Sequence, residues 1–347
     1  MDSVTHLVIG ASVGEVFFER GFGKKAMFWG MLAQSVPDLD FLAALWMTPS
    51  EAMLAHRGFS HSILFAVLIV FMLSVLAERW HRPHNIRFST WLLFFSVAVG
   101  GHLLLDSFNN YGIGWFEPFS HHRFAFNWIY VFDPFFLFIP FIVFFYLLIS
   151  NPHHLHRRKW AFISIILPLT YLAYCGWNKH LIHQAINKEG IVKKSSLYIY
   201  STPAPFQPWL WFVVLPKNDT LRMTYRSVFD PISHPVIFNA ISKNDALLKE
   251  VDNHESIQRL IRFSDSMYVV KKKKGKIVFC DVRFGQIHGW SNPNSDFVFE
   301  YQLNHDDDSR LMIQRGRVSG WNEINIRNYF LRIFGSFPSL QRPGKHG

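Results

Sequence analysis

The sequence predicts a polytopic α-helical membrane bundle of five to six helices followed by an α+β extramembrane domain. Three observations lead there. Half of the 347 residues are apolar and only 17% are charged, where an ordinary soluble domain carries about 25%. Long apolar runs crowd the first half of the chain. The charge is also uneven: residues 1–179 hold 12 Lys+Arg against 10 Asp+Glu, a net of +2, and residues 180–347 hold 23 against 15, a net of +8. The composition shift near residue 180 divides the chain into a membrane-embedded domain, 1–180, and an extracytoplasmic domain, 181–347. Intrinsic disorder is excluded by the apolar content. With two cysteines, Cys175 and Cys280, a disulfide framework and a four-cysteine zinc site are excluded as well.

The apolar runs set the helices in order. Leu7–Phe18 is short, its first turn beginning at Ser3 or Thr5, and reads as a partial span or a buried helix. Ala26–Met47 is interrupted by Gln34-Ser35 and by Pro37-Asp38-Leu39-Asp40. Ser62–Ala77, Ser89–Leu105, Val131–Ile149 and Trp160–Trp177 follow. A bilayer core of roughly 30 Å asks for about 17 to 25 apolar residues in a helix, and these five longer runs meet or approach that length. The first stretch lacks the basic flank and cleavage site of a signal peptide.

Basic residues fall in alternate loops. Arg20, Lys24 and Lys25 follow the first helix, Arg79, Arg82 and Arg87 the third, and Arg157, Arg158 and Lys159 the fifth, while the other loops hold only Arg57, Arg123 and Lys179. Basic loops face the cytoplasm. This predicts a multi-pass protein of the bacterial inner membrane whose C-terminal domain lies outside the cytoplasm. His81, His84, His153, His154 and His156 then read as solvated interfacial residues.

In the second half, β-rich segments flank turn clusters and predict hairpins over 209–229, 267–283 and 297–315. Helical spacing appears over 237–248, 254–263 and 322–334. The run Lys271–Lys274 reads as a solvated hairpin tip, and no nucleic-acid fold signature is present, so no nucleic-acid partner is expected.

Polar residues inside apolar surroundings carry the functional signal, because a charge at a helix centre costs roughly 2.5 to 3.5 kcal/mol on insertion scales. They are His6, Asp38, Asp40, His102, Asp106 and Asp133, with His56, Arg57 and His61 in a short loop. By the orientation above, all lie towards one side. His102 and Asp106, four apart, share a helix face, and Gly58 lets His56 and His61 turn to one place. Histidine nitrogens and carboxylates without thiolate suit a hydrolytic divalent-metal site, with zinc favoured and manganese an alternative. Arg57 beside it would suit an oxyanion. Simpler readings stand next to these: His6 as a surface residue, Asp38 and Asp133 as helix caps, His102–Asp106 as a structural pair. His121 and His122 are further ligand candidates.

Thr5-His6, Pro37-Asp38-Leu39-Asp40, His56-Arg57-Gly58-Phe59-Ser60-His61-Ser62 and Gly101-His102-Leu103-Leu104-Leu105-Asp106 together resemble the bacterial membrane-bound metal-dependent hydrolase family, whose members include LexA-regulated inner-membrane proteins. The likeness covers roughly residues 1–180. A weaker likeness is to zinc-dependent phospholipase C, which implies more than one zinc acting on a phosphoester.

The sequence reading is thus a membrane hydrolase. His6, His56, His61, His102 and Asp106 are the expected metal ligands. Asp38 or Asp40 would bridge or act as base. Arg57, with Arg123, would hold an anionic group, and Asp133 would orient a histidine. Membrane lipids are the expected partners, and a lipid or lipid-linked phosphoester the expected substrate. The rival is a non-enzymatic membrane protein whose buried His/Asp cluster binds or relays ions and whose outer domain binds a partner.

Overall fold

Asp2 starts the chain's first helix by accepting hydrogen bonds from the Thr5 amide at 2.9 Å and the Thr5 hydroxyl at 2.6 Å, which satisfies donors a helix leaves open at its N-terminus. The computed structural model describes residues 1–18, 22–188, 198–231, 234–252, 254–303, 312–314 and 321–336. Arg20 and the expected turn at 304–308 lie outside these. Two compact units form: residues 1–47 with 52–175, and 48–51 with 176–347.

The first unit is helical: α1 (Ser3–Phe17), α2 (Lys24–Ser35), α3 (Pro49–Ala55), α4 (Ile63–Trp80), α5 (Phe88–Asp106), α6 (Pro134–Ile149) and the start of α7 (Arg157–Lys188). Among the described residues, α4, α5 and α7 are long and apolar enough to cross a membrane; α1 and α6 are shorter apolar helices. By length and composition the described helices support a helical membrane domain with three candidate spans, and the expected five to six go beyond that. The run Ala26–Met47 is not one span, because α2 stops and Pro37–Leu45 continues as a 3₁₀-helix. Proline cannot donate to the preceding turn, and its ring crowds the carbonyl four residues back.

Helices α1 and α2 touch backbone to backbone. A Cβ on Gly30 would fall inside the carbonyl of Gly10, so only glycines permit this approach. The contact brings the N-terminal turn of α1 beside the C-terminal half of α2, and it is what puts His6 next to Gln34. Helix α5 packs Trp91, Phe94, Phe95, Ala98 and Val99 into the same core.

Two side chains expected in water are buried. Arg157 is 1% exposed. It clamps Glu15 through Nε at 2.8 Å and Nη2 at 2.7 Å, and its Nη1 donates to the Leu147 and Ser150 carbonyls, so the cation joins α1, α6 and α7. His81 is also buried and accepts the Trp29 indole N–H at 2.8 Å. His84, His153, His154 and His156 are exposed.

The second unit is α+β. One sheet runs β1 (Tyr200–Pro203), β2 (Leu210–Lys217), β3 (Thr220–Ser227) and β4 (Asn239–Ser242). The other runs β5 (Tyr268–Lys273), β6 (Lys276–Gln286), β7 (Phe297–Gln302) and β8 (Met312–Gln314), all neighbours antiparallel. Helices α8 (His254–Phe263) and α9 (Glu323–Ile333) complete it. Strand β2 is buried on both faces: Phe212 and Val214 join the inter-sheet core, and Trp211, Val213 and Leu215 pack with Ile182 and Ile186 of α7. That is why its sequence is a continuous apolar run rather than an alternation. The expected hairpins over 209–229 and 267–283 form, and for the third the strands β7 and β8 pair while their connection lies outside the described residues. The expected helix over 237–248 does not form: β4 and a 3₁₀-helix, Asp245–Glu250, occupy it, because pairing with β3 overrides local spacing.

Asp230 anchors this unit. Its two oxygens accept Arg332 Nη1 at 2.7 Å and Nη2 at 2.8 Å, and Oδ2 also accepts the Ser227 amide. Arg226 lies 3.5 Å away. Removing one member of a buried pair strands the other charge, at roughly 3–5 kcal/mol. Asp230→Ala should lower the unfolding free energy of this unit by about that much, read by chemical denaturation monitored on tryptophan fluorescence. Cys280 is fully buried, and burial pushes its thiol up to about 12. Iodoacetamide at pH 8 should leave Cys280 unmodified in the folded protein and alkylate it after denaturation, read by peptide mass spectrometry.

Candidate metal centre

Four side chains point their donor atoms at one spot in the first unit. Asp38 comes from the 3₁₀-helix after α2, His61 from the short 3₁₀ turn Phe59–His61 before α4, and His102 and Asp106 from the last turns of α5. One ligand atom from each lies within 4.8 Å of the others. His102 Nε2 is 3.2 Å from His61 Nε2. Asp38 Oδ1 lies 3.5 Å from His61 Nε2 and 3.6 Å from His102 Nε2, and Asp106 Oδ2 lies 3.3 and 3.8 Å from the same two nitrogens.

The distances bear on what fits. Zinc–nitrogen and zinc–oxygen bonds of about 2.0–2.1 Å place tetrahedral ligand atoms roughly 3.3–3.4 Å apart, and the distances here surround that value. Asp106 Oδ2 and His102 Nδ1 are buried without a hydrogen-bond partner. Leaving such atoms without a hydrogen bond is costly; for Asp106 Oδ2 the Arg57 guanidinium at 3.1 Å offsets part of that cost, and a cation at the shared spot would offset more. Two carboxylates and two imidazoles face the spot, a donor set that suits a divalent cation, while the Arg57 guanidinium and the Met1 amine lie against Asp106 from behind. The residues fit such an ion.

The surroundings fix the ligands. Asp40 Oδ2 accepts the Ser60 hydroxyl at 2.7 Å and the Arg57 amide at 2.7 Å. Because Ser60 spends its proton on Asp40, its oxygen accepts from His61 Nδ1 at 2.9 Å. The proton then sits on Nδ1, and the Nε2 lone pair faces the centre. Asp40 Oδ1 accepts His56 Nδ1 at 2.9 Å. Burial acts to raise the Asp40 carboxyl, but the hydrogen bonds from His56 and His61 outweigh it and hold the group below the usual carboxylate range.

Several expected roles change. Asp40 holds a ligand rather than lying among the donors, since its oxygens are filled. His56 lies on Asp40, its side chain 40% exposed, and is outside the four-donor group. His6 is also outside it: Nε2 meets Asp106 Oδ1 at 3.0 Å and Nδ1 meets Gln34 Oε1 at 3.2 Å, so it orients Asp106. Arg57 is 3% exposed and committed to its own chain. Nη1 donates to Asn109 Oδ1, Nη2 donates to the Met1 carbonyl, and Nε is 3.1 Å from Asp106 Oδ2. Its φ of +58° is a strained value for a residue with a Cβ, stabilised by these contacts. Arg57 therefore balances the Asp106 charge instead of offering a free oxyanion clamp. Arg123 donates to the Leu54 and His56 carbonyls, fixing the backbone that carries His56. Asp133 orients no histidine. It caps α6 through the Phe135 and Phe136 amides and accepts the Tyr171 hydroxyl at 2.9 Å. His121 and His122 are exposed, and His121 pairs with Glu117. Three contributors escaped the sequence reading: Ser60, Gln34 and Asn109. Gln34 gave the one usable signal, as a lone amide in an apolar run.

The profile of the YdjM inner membrane protein family matches residues 1–182, just over half of the chain. The chain belongs to this family. It is 31% identical over 127 residues to inner membrane protein YbcI of Escherichia coli (strain K12), covering 36% of this chain and 72% of that protein. Over 144 residues it is 30% identical to the uncharacterized protein YfhP of Bacillus subtilis (strain 168), covering 39% of this chain and 42% of YfhP. No solved structure matches. The family and the apolar helices make this a bacterial inner-membrane protein, and the part matched by the YdjM profile contains all four donors.

Losing a carboxylate that orients a metal-bound histidine typically lowers metal affinity about 10–100-fold. Asp40→Asn should weaken zinc binding by that factor in isothermal titration, while Asp133→Ala should leave it unchanged and lower only the melting temperature, through loss of the α6 cap and of the Tyr171 hydrogen bond.

Proposed function

We propose that this protein is a membrane-bound metal-dependent hydrolase that cleaves an ester or phosphoester of a lipid or lipid-linked substrate. The observation that carries this reading is the convergence of two imidazole nitrogens and two carboxylate oxygens, without thiolate, in a buried spot whose Asp38 edge is 15% exposed. Asp38, His61, His102 and Asp106 would hold one divalent cation, zinc by this ligand set or else manganese. A cation there supplies Lewis acidity and a nucleophilic water at neutral pH.

The residues around the donors have separate tasks. Ser60 and Asp40 keep the His61 proton on Nδ1. Arg57 and His6 hold Asp106 in place, and the Arg57 guanidinium balances its charge. His56, with Nδ1 tied to Asp40, presents Nε2 towards the accessible side and can carry the proton that the reaction moves. Hydrolysis adds the hydroxide of water to the acyl carbon or phosphorus and breaks the ester bond, and the proton goes to the departing alcohol oxygen. The alternation of basic loops supports a site on the outer side of the inner membrane.

A structural ion site is the second reading, favoured by the number four: four protein ligands complete a tetrahedron, and catalytic zinc keeps a position open. Elemental analysis of detergent-purified protein decides whether metal is held. About one zinc or manganese per chain is expected, lost in a folded His102→Ala/Asp106→Ala variant; no metal in either protein after zinc is added overturns both readings. Cobalt substitution then separates them. Visible absorption that changes on adding azide, together with metal-dependent cleavage of p-nitrophenyl esters or phosphoesters, supports the hydrolase. A tetrahedral spectrum indifferent to azide, with no cleavage, supports the structural site.

A further inference from the structure

We propose that the groove between α4 and α5 holds the hydrocarbon chain of a membrane lipid whose ester end is presented to the metal centre. This rests on the hydrolase reading above and assigns its substrate to lipids that lie in the bilayer rather than to water-soluble esters. The groove has a volume of about 500 Å³ and is lined almost wholly by apolar side chains. On α5 its wall is the stripe Leu92, Ser96, Gly100 and Leu103, spaced four, four and three, which is one helix face. On α4 it runs from Ile63 to Phe71. Its outer lip is open, with Val67 62% and Phe71 58% exposed.

Three features select a lipid chain. The first is where the groove ends. Ile63 begins α4 two residues after His61, and Leu103 follows His102 near the end of α5, so one end of the groove lies at the helix ends that carry the donors. Trp115 closes that end, its carbonyl accepting the Ile63 amide at 2.9 Å and its indole donating to Ser107. A tryptophan of this kind suits the bilayer interface. The second is length. At 1.5 Å per residue the two walls run for about 12 Å and 16 Å, from the donor end towards the middle of a bilayer half. The third is the empty position at Gly100. A Cβ there would meet no atom within 4 Å, so neither helix packing nor a close backbone approach requires glycine, although glycine is a poor helix former. The missing side chain leaves the groove open two residues before His102.

Gly100 also provides the test. Gly100→Leu is expected to fold, since leucine is the better helix former and has space, and to fill the groove. The full-length protein is placed in nanodiscs of phosphatidylethanolamine and phosphatidylglycerol doped with a phospholipid that carries a diazirine in one acyl chain. After illumination, crosslinked peptides are mapped by mass spectrometry, and bound zinc is measured on the same samples. Expected is labelling of the α4 and α5 groove peptides at least fivefold above the lipid-facing α6 peptide 135–149, falling to the α6 level in Gly100→Leu with zinc unchanged. Even labelling of α4, α5 and α6 in the wild type would mean surrounding bilayer lipid only and overturns the proposal. Protein–protein crosslinks from the groove would mean a second copy sits there and also overturn it. Groove labelling with no bound zinc would sink the hydrolase reading while leaving the lipid site. Bound zinc with no groove preference would sink the lipid site while leaving the hydrolase.

Discussion

The buried carboxylate of Asp106 is the constraint on which the first unit depends. It lies on α5, fully enclosed, and an ionised carboxylate in apolar surroundings is stable only if opposite charge and hydrogen-bond donors surround it. The chain supplies them from different segments: His6 from α1, Arg57 from the loop before α4, and the amine of Met1. Each segment is held in turn. The Gly10–Gly30 contact places α1, Asp40 holds the Arg57 amide, and Ser60 links Asp40 to His61. The strained backbone at Arg57 is tolerated because these contacts over-determine it.

That arrangement explains why residues of one chemical type take different parts. Asp38 and Asp40 are two apart. A 3₁₀ path sends Asp38 towards the donors and Asp40 towards the loop that carries His56 and His61. His56 and His61 bracket a single bend, yet one is enclosed and the other 40% exposed. Ser60 and Asp40 link the enclosed His61 to the half-exposed His56 by hydrogen bonds. The Glu15–Arg157 clamp solves the same burial problem elsewhere in the unit, but with both partners fully satisfied and no donor atom left over. Asp106 is different: it pairs with Arg57 and also turns an oxygen towards Asp38, His61 and His102 in one four-donor group.

The sequence by itself determined a good part of this protein. Apolar runs without charge must be buried or lie in lipid, so α4, α5 and the apolar part of α7 could be read directly from hydropathy. The hairpins could be read from β-rich segments around turn clusters, because turn residues act locally. Part of the donor set was also legible: His61, His102 and Asp106 were read as ligands and Asp38 as a bridging group or base, because buried His and Asp in apolar runs are too costly to persist without a partner. Tertiary structure decided the rest. Register along a helix does not reveal which neighbour faces a side chain, so it took packing to choose the cap among the readings of Asp133, and to make Arg57 a counter-charge and His6 a support for Asp106. Pro37 was visible, but only the fold showed that it ends a span. Strand β4 formed where spacing suggested helix, since a partner strand offers hydrogen bonds that local propensity cannot outweigh. Residue types state which charges need compensation, and only the three-dimensional path of the chain brings the compensating groups to within 3–4 Å.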